Sequence, residues 1–128
     1  MPANKDKRLT SQFLKDQRGE LYVNKIKGLE FNVIFTKTGV YRAGDYHLAK
    51  QYSIILHGEI ELTLRQKNKD IVKRYGSNEL VVIPPNIPHL YKFLADTVML
   101  EWLAGPYQPR YYQPYRKIIE QQFKQSKH

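Results

Sequence analysis

Four side chains capable of binding a metal or moving a proton fall in two short stretches. The first runs Asp45-Tyr46-His47-Leu48-Ala49-Lys50-Gln51-Tyr52-Ser53-Ile54-Ile55-Leu56-His57-Gly58, and the second ends at His89. On an extended strand successive side chains point to opposite faces, so Asp45, His47, Ala49, Gln51, Ser53 and Ile55 share one face. Tyr46, Leu48, Tyr52, Ile54 and Leu56 share the other. The first face thus carries three groups able to hold a metal or a polar ligand, and the second is greasy. A strand of this kind suits the wall of a pocketed barrel. Tyr91 and Phe93 continue the parity of His89 and are expected to line the same pocket, while Arg42 is placed to grip a carboxylate or phosphate. Glu101 and Trp102 have opposite facings on a late strand, and the sequence does not say which points inward. His57 beside Gly58 reads as a solvated turn residue, and the terminal His128 carries no signal.

The elements that would position these groups are short β-prone runs. They are Leu21–Ile26, Leu29–Phe35, Val40–Arg42, Tyr46–Leu56, Ile60–Arg65, Ile71–Tyr75, Leu80–Ile83, Leu90–Leu94 and Thr97–Leu103. Turn signals such as Lys27-Gly28, Ala43-Gly44, Gly76-Ser77-Asn78 and Pro84-Pro85-Asn86 separate them. Many short strands with no helix between them predict an antiparallel barrel or sandwich. Before them, Leu9, Phe13 and Leu14 at i, i+4, i+5 predict a short N-terminal helix or arm within residues 1–20. After the barrel at 21–104, residues 105–115 are too rich in proline for a central strand and read as an extended strap. Pro114 then opens a C-terminal helix with Tyr115, Ile118, Ile119, Gln122 and Phe123 on one face. Residues 105–128 therefore form a strap plus helix.

Composition narrows the classes. At 128 residues the chain reads as one domain, and with no cysteine it can form neither disulfides nor thiolate metal sites. No apolar run approaches a membrane span, and the start lacks the apolar segment of a secretory signal, so a cytoplasmic protein is the expectation. The net charge of +9 resides at the ends: residues 1–27 and 106–128 each carry +4, and the middle is nearly neutral. Basic ends without Arg-Gly repeats or a single basic block fit solubility better than a nucleic-acid surface.

The spacing of the two stretches resembles the cupin superfamily, whose paired motifs lie on facing strands of a small jelly-roll barrel. The first family motif, His-x-His, then Glu, then Gly, is matched by Asp45-x-His47-x3-Gln51-x6-Gly58. The second is matched by Gly76…Pro84-x-Asn86-x2-His89. The resemblance spans roughly residues 29–104 and implies an all-β, double-stranded β-helix (jelly-roll) fold with short N- and C-terminal helical extensions. It also implies a homodimer. Two departures fall at the chemistry: Asp45 replaces a histidine and Gln51 replaces the glutamate.

By this resemblance the metal set becomes His47, His89, Asp45 and Gln51. Two imidazoles and a carboxylate can hold one divalent metal (Fe, Mn, Zn or Ni) with positions left open for substrate, Gln51 being a weak neutral ligand. The chain is also similar to cupin sugar-nucleotide ketoisomerases, which have Gln at the position of Gln51 and use inward histidines to move protons without a metal. There, His47, Asp45 and His89 would be the catalytic groups, since an imidazole near its pKa suits proton transfer next to a carbonyl. Arg42, Gln51, Ser53, Tyr91 and Phe93 would bind the ligand. Three readings stay open: a metal-dependent enzyme acting on a polar small molecule, a metal-free isomerase-like enzyme, and a non-catalytic ligand-binding cupin.

Overall fold

A computed structural model describes residues 9–125. Along the chain run β1 (Thr10–Asp16), β2 (Gly19–Ile26), β3 (Leu29–Thr36), β4 (Tyr41–Tyr46), β5 (Gln51–His57) and β6 (Glu59–Gln66). They are followed by β7 (Lys69–Gly76), β8 (Leu80–Ile83), β9 (His89–Phe93), β10 (Thr97–Leu103), β11 (Arg110–Tyr111) and the helix α1 (Gln113–Gln125). Two antiparallel sheets face one another, ordered β1-β2-β3-β10-β5-β8 and β11-β4-β9-β6-β7. Strands 5 and 6 are consecutive in sequence yet lie in different sheets, as do β8 and β9, which makes the whole a jelly roll.

The core forms where the inner faces meet. Leu21, Ile34, Met99 and Ile55 are directly paired across four strands of one sheet. Opposite them, Ile60 pairs with Phe93 and Leu62 with Tyr91. Ile55, Ile60, Leu62, Val81, Ile83 and Phe93 have no accessible surface. Each such side chain contributes about 2 kcal/mol of burial free energy, before the cost of ordering it.

Two regions differ from the sequence expectation. No N-terminal helix forms among the described residues: Thr10–Asp16 is instead a strand paired along its whole length with β2, Phe13 opposite Tyr22. The turn between them is closed by Asp16, whose carboxylate accepts from the Arg18 backbone at 2.8 Å and from its guanidinium. Every residue of β1 is exposed, so it lacks the period-2 burial that marks a strand, and Leu9, Phe13 and Leu14 imitate a helical period. Residues 1–8 lie outside the described part of the chain. Secondly, Ala43-Gly44 is no turn between two strands. It is a β-bulge within β4, with φ values of 81° and 77°, and the strand break falls later, between Tyr46 and Gln51.

The strap and helix close the outside of this strand. Short strand β11 pairs with the edge of β4, and Tyr115 and Ile119 of α1 are buried against Leu90 and the rim of Tyr41. Gln122 clamps the Tyr41 backbone, accepting its N–H at 2.9 Å and donating to its carbonyl at 2.7 Å. Gly44 is where helix and bulge touch: a Cβ there would sit 3.1 Å from the Arg116 Cα and 3.2 Å from Ile119. Gly44→Ala is therefore expected to destabilise the protein by about 2 kcal/mol, combining left-handed backbone strain with displacement of α1. A denaturant titration checks this. An unchanged midpoint would mean that the helix is not seated on the bulge.

Candidate functional site

The site lies between two rows of paired residues on facing sheets. Asp45 of β4 is opposite His89 of β9, which is opposite Leu64 of β6. From the other sheet come Gln51 of β5, opposite Leu103 of β10, and the row Ser53–Glu101–Asn32 across β5, β10 and β3. His47 arrives from the segment linking β4 to β5, where Asn86 N–H holds the His47 carbonyl at 2.8 Å. The expected inward face holds despite the strand break: Asp45, His47, Ala49, Gln51, Ser53 and Ile55 are all buried. Leu48 and Leu56, on the opposite face, are exposed.

Asp45, His47 and His89 offer ligand atoms that all lie within 4.8 Å of one another. The two imidazoles stand edge-on, 5.1 Å between centroids. Their tautomers follow from their partners. His47 Nδ1 donates to the Ala49 carbonyl at 2.7 Å, and His89 Nδ1 donates to the Ile87 carbonyl at 2.9 Å. A carbonyl can only accept, so each ring carries its hydrogen on Nδ1, and the neutral ring turns the lone pair of Nε2 inward.

These inward lone pairs meet oxygens. His47 Nε2 is 3.0 Å from Gln51 Oε1, and His89 Nε2 is 3.2 Å from Asp45 Oδ1. The Gln51 oxygen is held in that direction because its amide nitrogen donates to Tyr91 OH at 3.2 Å and to a Glu101 carboxylate oxygen. Burial pushes the His89 imidazole below its ordinary value, against the opposing pull of Asp45. A neutral His89 thus faces an acceptor with an acceptor. Such contacts are satisfied by a cation between them, or by protonating the rings. A metal ligated at roughly 2.0–2.2 Å by both His89 Nε2 and Asp45 Oδ1 fits the 3.2 Å separation of that pair.

A cavity of about 440 Å³ opens beside this cluster. Arg42, Asp45, Gln51, His89 and Tyr91 line it. Ser53 lies behind Tyr91 with its hydroxyl 3.2 Å from the phenol, and Phe93 stacks on Tyr91 in the core at 6.1 Å. His47 packs edge-on against Tyr107 at 5.6 Å. His57 is exposed.

Two residues that sequence reasoning left unassigned belong here. Tyr107 of the strap donates its hydroxyl to Asp45 Oδ2 at 2.7 Å, which orients the carboxylate and leaves Oδ1 toward His89. Burial, then the Asp45 carboxylate, push the Tyr107 phenol upward, so it remains a donor at neutral pH. Glu101 resolves the earlier ambiguity by pointing in, its other oxygen 3.4 Å from Asn32 Nδ2. Its residual accessible surface faces the cavity it lines, while desolvation first and Asp45 second raise its pKa. The first of these had no signal in a strap of repeated Pro and Tyr. The second had parity, but no reference to fix its phase.

No protein-family model matches the sequence, and no curated protein matches it. Solved structures do. The capsular polysaccharide assembling protein CapF of Staphylococcus aureus superposes with a TM-score of 0.67 at 20% identity, over 80% of this chain and 34% of that one. A tryptophan-to-phenylalanine variant of oxalate decarboxylase from Bacillus subtilis gives 0.69 at 13% identity, over 87% and 34%. The chain has the cupin fold. The same Bacillus subtilis decarboxylase, in a structure concerned with its Mn(II) centres, matches at 0.66 and 15% identity over 77% and 28%. The chain spans about a third of the length of each of these proteins, and at such identities the likeness is one of fold. Buried Asp45, His47 and His89 together offer the donor set of a metal site. No helix among the described residues is long and apolar enough to cross a membrane.

Proposed function

We propose that this cupin binds one divalent transition metal through Asp45, His47 and His89, with Gln51 as a weak fourth ligand, and acts on a polar small molecule in the adjoining cavity. The observation that carries this reading is the pair of imidazole lone pairs, each facing an oxygen that can only accept, at 3.0 and 3.2 Å. A bound metal would supply Lewis-acid polarisation of a substrate oxygen. The chain's own residues do the rest. The Ala49 and Ile87 carbonyls fix the rings, Tyr107 orients Asp45, Glu101 turns the Gln51 oxygen inward, and Tyr91 forms part of the cavity wall.

A metal-free reading, acid–base work by Asp45, His47 and His89 on a keto-sugar nucleotide, draws support from the 3.2 Å Asp45–His89 pair, which becomes an ion pair once the ring is protonated. Elemental analysis of protein purified without a histidine tag separates the two. Stoichiometric Fe, Mn, Zn or Ni supports the metal site. A metal-free protein whose melting temperature rises only with nucleotide-sugars supports the isomerase-like reading. Neither response leaves a non-catalytic cupin.

Tyr107→Phe removes only the hydroxyl that orients Asp45. Outer partners of this kind are worth roughly tenfold or more in metal affinity, so calorimetry with Zn(II) is expected to show a loss of about tenfold without loss of fold. Equal affinity would remove the strap from the site.

The homodimer belongs to the same proposal. The outer face of the six-stranded sheet carries an in-register apolar row, Phe13–Tyr22–Val33–Leu100–Ile54–Leu80, about 24 Å across at the usual strand spacing. Phe13 and Leu80 in it are half exposed, and Phe35 and Leu56 beside it are exposed too. A second copy, stacked face to face, covers this surface symmetrically. Light scattering at micromolar concentration should give twice the monomer mass of 15.2 kDa; the monomer mass would refute it.

A further inference from the structure

Away from the imidazoles, the cavity wall holds a guanidinium with no ion-pair partner within 4.0 Å among the described residues. Arg42 is half-buried, and its Nε donates to Thr36 Oγ1 across the barrel at 2.7 Å. Its two terminal nitrogens make no hydrogen bond with the described residues, and no carboxylate among those residues lies within 4.0 Å of the guanidinium. The nearby Arg18, which also lines the cavity, is paired with Asp16 through its Nε and Nη2 at 2.7–3.2 Å. Two guanidinium groups therefore share one carboxylate. Glu101, the other acid facing Arg42, is occupied by Gln51 and Asn32. Burial and then Arg18 pull the Arg42 pKa down to about 10, so the group remains charged at neutral pH.

The backbone goes out of its way to place this charge. In a regular strand Arg42 and Asp45, three residues apart, would face opposite sides. The bulge at Ala43–Gly44 absorbs the extra residue, so that Arg42 pairs with Tyr91 while Asp45 pairs with His89, two positions along β9. Both side chains consequently line one cavity, about 7 Å apart along the strand. Ala43 adopts φ 81° in this bulge, a conformation disfavoured for any residue but glycine. A half-buried guanidinium with free terminal donors is costly to keep unless an anion meets it.

We propose that the cavity takes a small acid whose oxyanion, a carboxylate or a phosphate, is bound by the terminal nitrogens of Arg42. The neutral remainder of the ligand extends along the wall toward Asp45 and His89. A divalent metal held there by a single carboxylate would keep one net positive charge, which favours the same ligand class; that clause alone rests on the metal reading above. The planar fork of arginine matches a carboxylate or phosphate edge with two parallel hydrogen bonds, and lysine does not reproduce this.

Binding is read by isothermal titration calorimetry. The full chain is titrated with malonate, with inorganic phosphate, and with malonamide as the neutral control, with metal content measured alongside. A saturable response to one anion but not to malonamide is expected, weakened about 10- to 100-fold in Arg42→Gln. Whichever of malonate and phosphate binds tighter identifies the ligand class. Thr36→Val, which removes only the hydroxyl that aims Arg42, should weaken the same anion several-fold and keeps the test open if Arg42→Gln fails to fold. No saturable response to either anion, or equal affinity in both variants, overturns the proposal. Metal bound without any anion response sinks this inference alone. An Arg42-dependent anion response in a protein that holds no metal leaves it standing and removes the metal reading instead.

Discussion

Alanine at position 47 or 89 is expected to abolish stoichiometric metal binding, with affinity falling by more than about 100-fold in each variant. Removal of an outer-sphere partner already costs on the order of 10- to 100-fold, and these rings supply two of three strong donors within a 4.8 Å cluster. The two variants should differ in stability. His47 sits on a link between strands, whereas His89 is paired in the middle of its sheet with 1% of its surface accessible. Alanine at 89 leaves a cavity between Asp45 and Tyr91, and about 2–3 kcal/mol of stability is expected to go with it. Asparagine at 89 is the milder control: it fills part of the volume and offers no imidazole. Calorimetric titration with Zn(II) and Mn(II), with circular dichroism to confirm folding, checks the prediction. Undiminished affinity in a folded His89→Ala protein would place the metal elsewhere.

How much of this was legible beforehand depends on the kind of signal each residue leaves. His47 and His89 were readable because motif spacing fixes where they fall, just past the end of β4 and at the start of β9, and period 2 fixes their facing. Alternation carried the inward face from Asp45 to Ile55 correctly even through the break between β4 and β5, although the link bends at Leu48 and Ala49. Arg42 could be named but not oriented from the chain alone. A bulge shifts parity by one, and its sign here, a non-glycine residue at φ 81°, is invisible in Ala-Gly. Tyr107 lies in a strap whose path is set by contacts with β4, so no local period could point it at Asp45. At the N-terminus the failure was one of burial: a strand exposed on both faces leaves no alternation to read, and β1 owes its place to pairing with β2.

Glu101→Gln is expected to stabilise the apoprotein at neutral pH while weakening its metal site. The carboxyl is enclosed by Asp45, Asn32, Gln51 and, at longer range, His47 and Arg42. Desolvation, the largest influence, and repulsion from Asp45 outweigh the help of Asn32 and Arg42, so its pKa lies above that of an exposed glutamate. A carboxyl with a raised pKa in the folded state binds its proton more tightly there than in the unfolded chain. The wild type accordingly loses stability as pH rises from the ordinary glutamate range up through the raised value. Glutamine does not titrate. The difference in melting temperature should therefore be absent at acid pH, open across that window in favour of Glu101→Gln, and stay constant above it. The metal responds in the opposite direction. In its ionised form Glu101 can only accept, so it compels Gln51 to present its nitrogen to Glu101 and its oxygen to His47. A glutamine at 101 can donate as well as accept, which frees the Gln51 amide to turn its nitrogen inward, where it cannot bind a cation. A tenfold loss of Zn(II) affinity, roughly the value of an outer-sphere carboxylate, is expected. Such a pairing, a charge that costs stability and is kept where it aims a ligand, is what separates a working site from a well-packed barrel interior. If Glu101→Gln left both the pH profile and the metal affinity of the wild type unchanged, Glu101 would be a structural residue, and the Gln51 oxygen would owe its direction to Tyr91 alone.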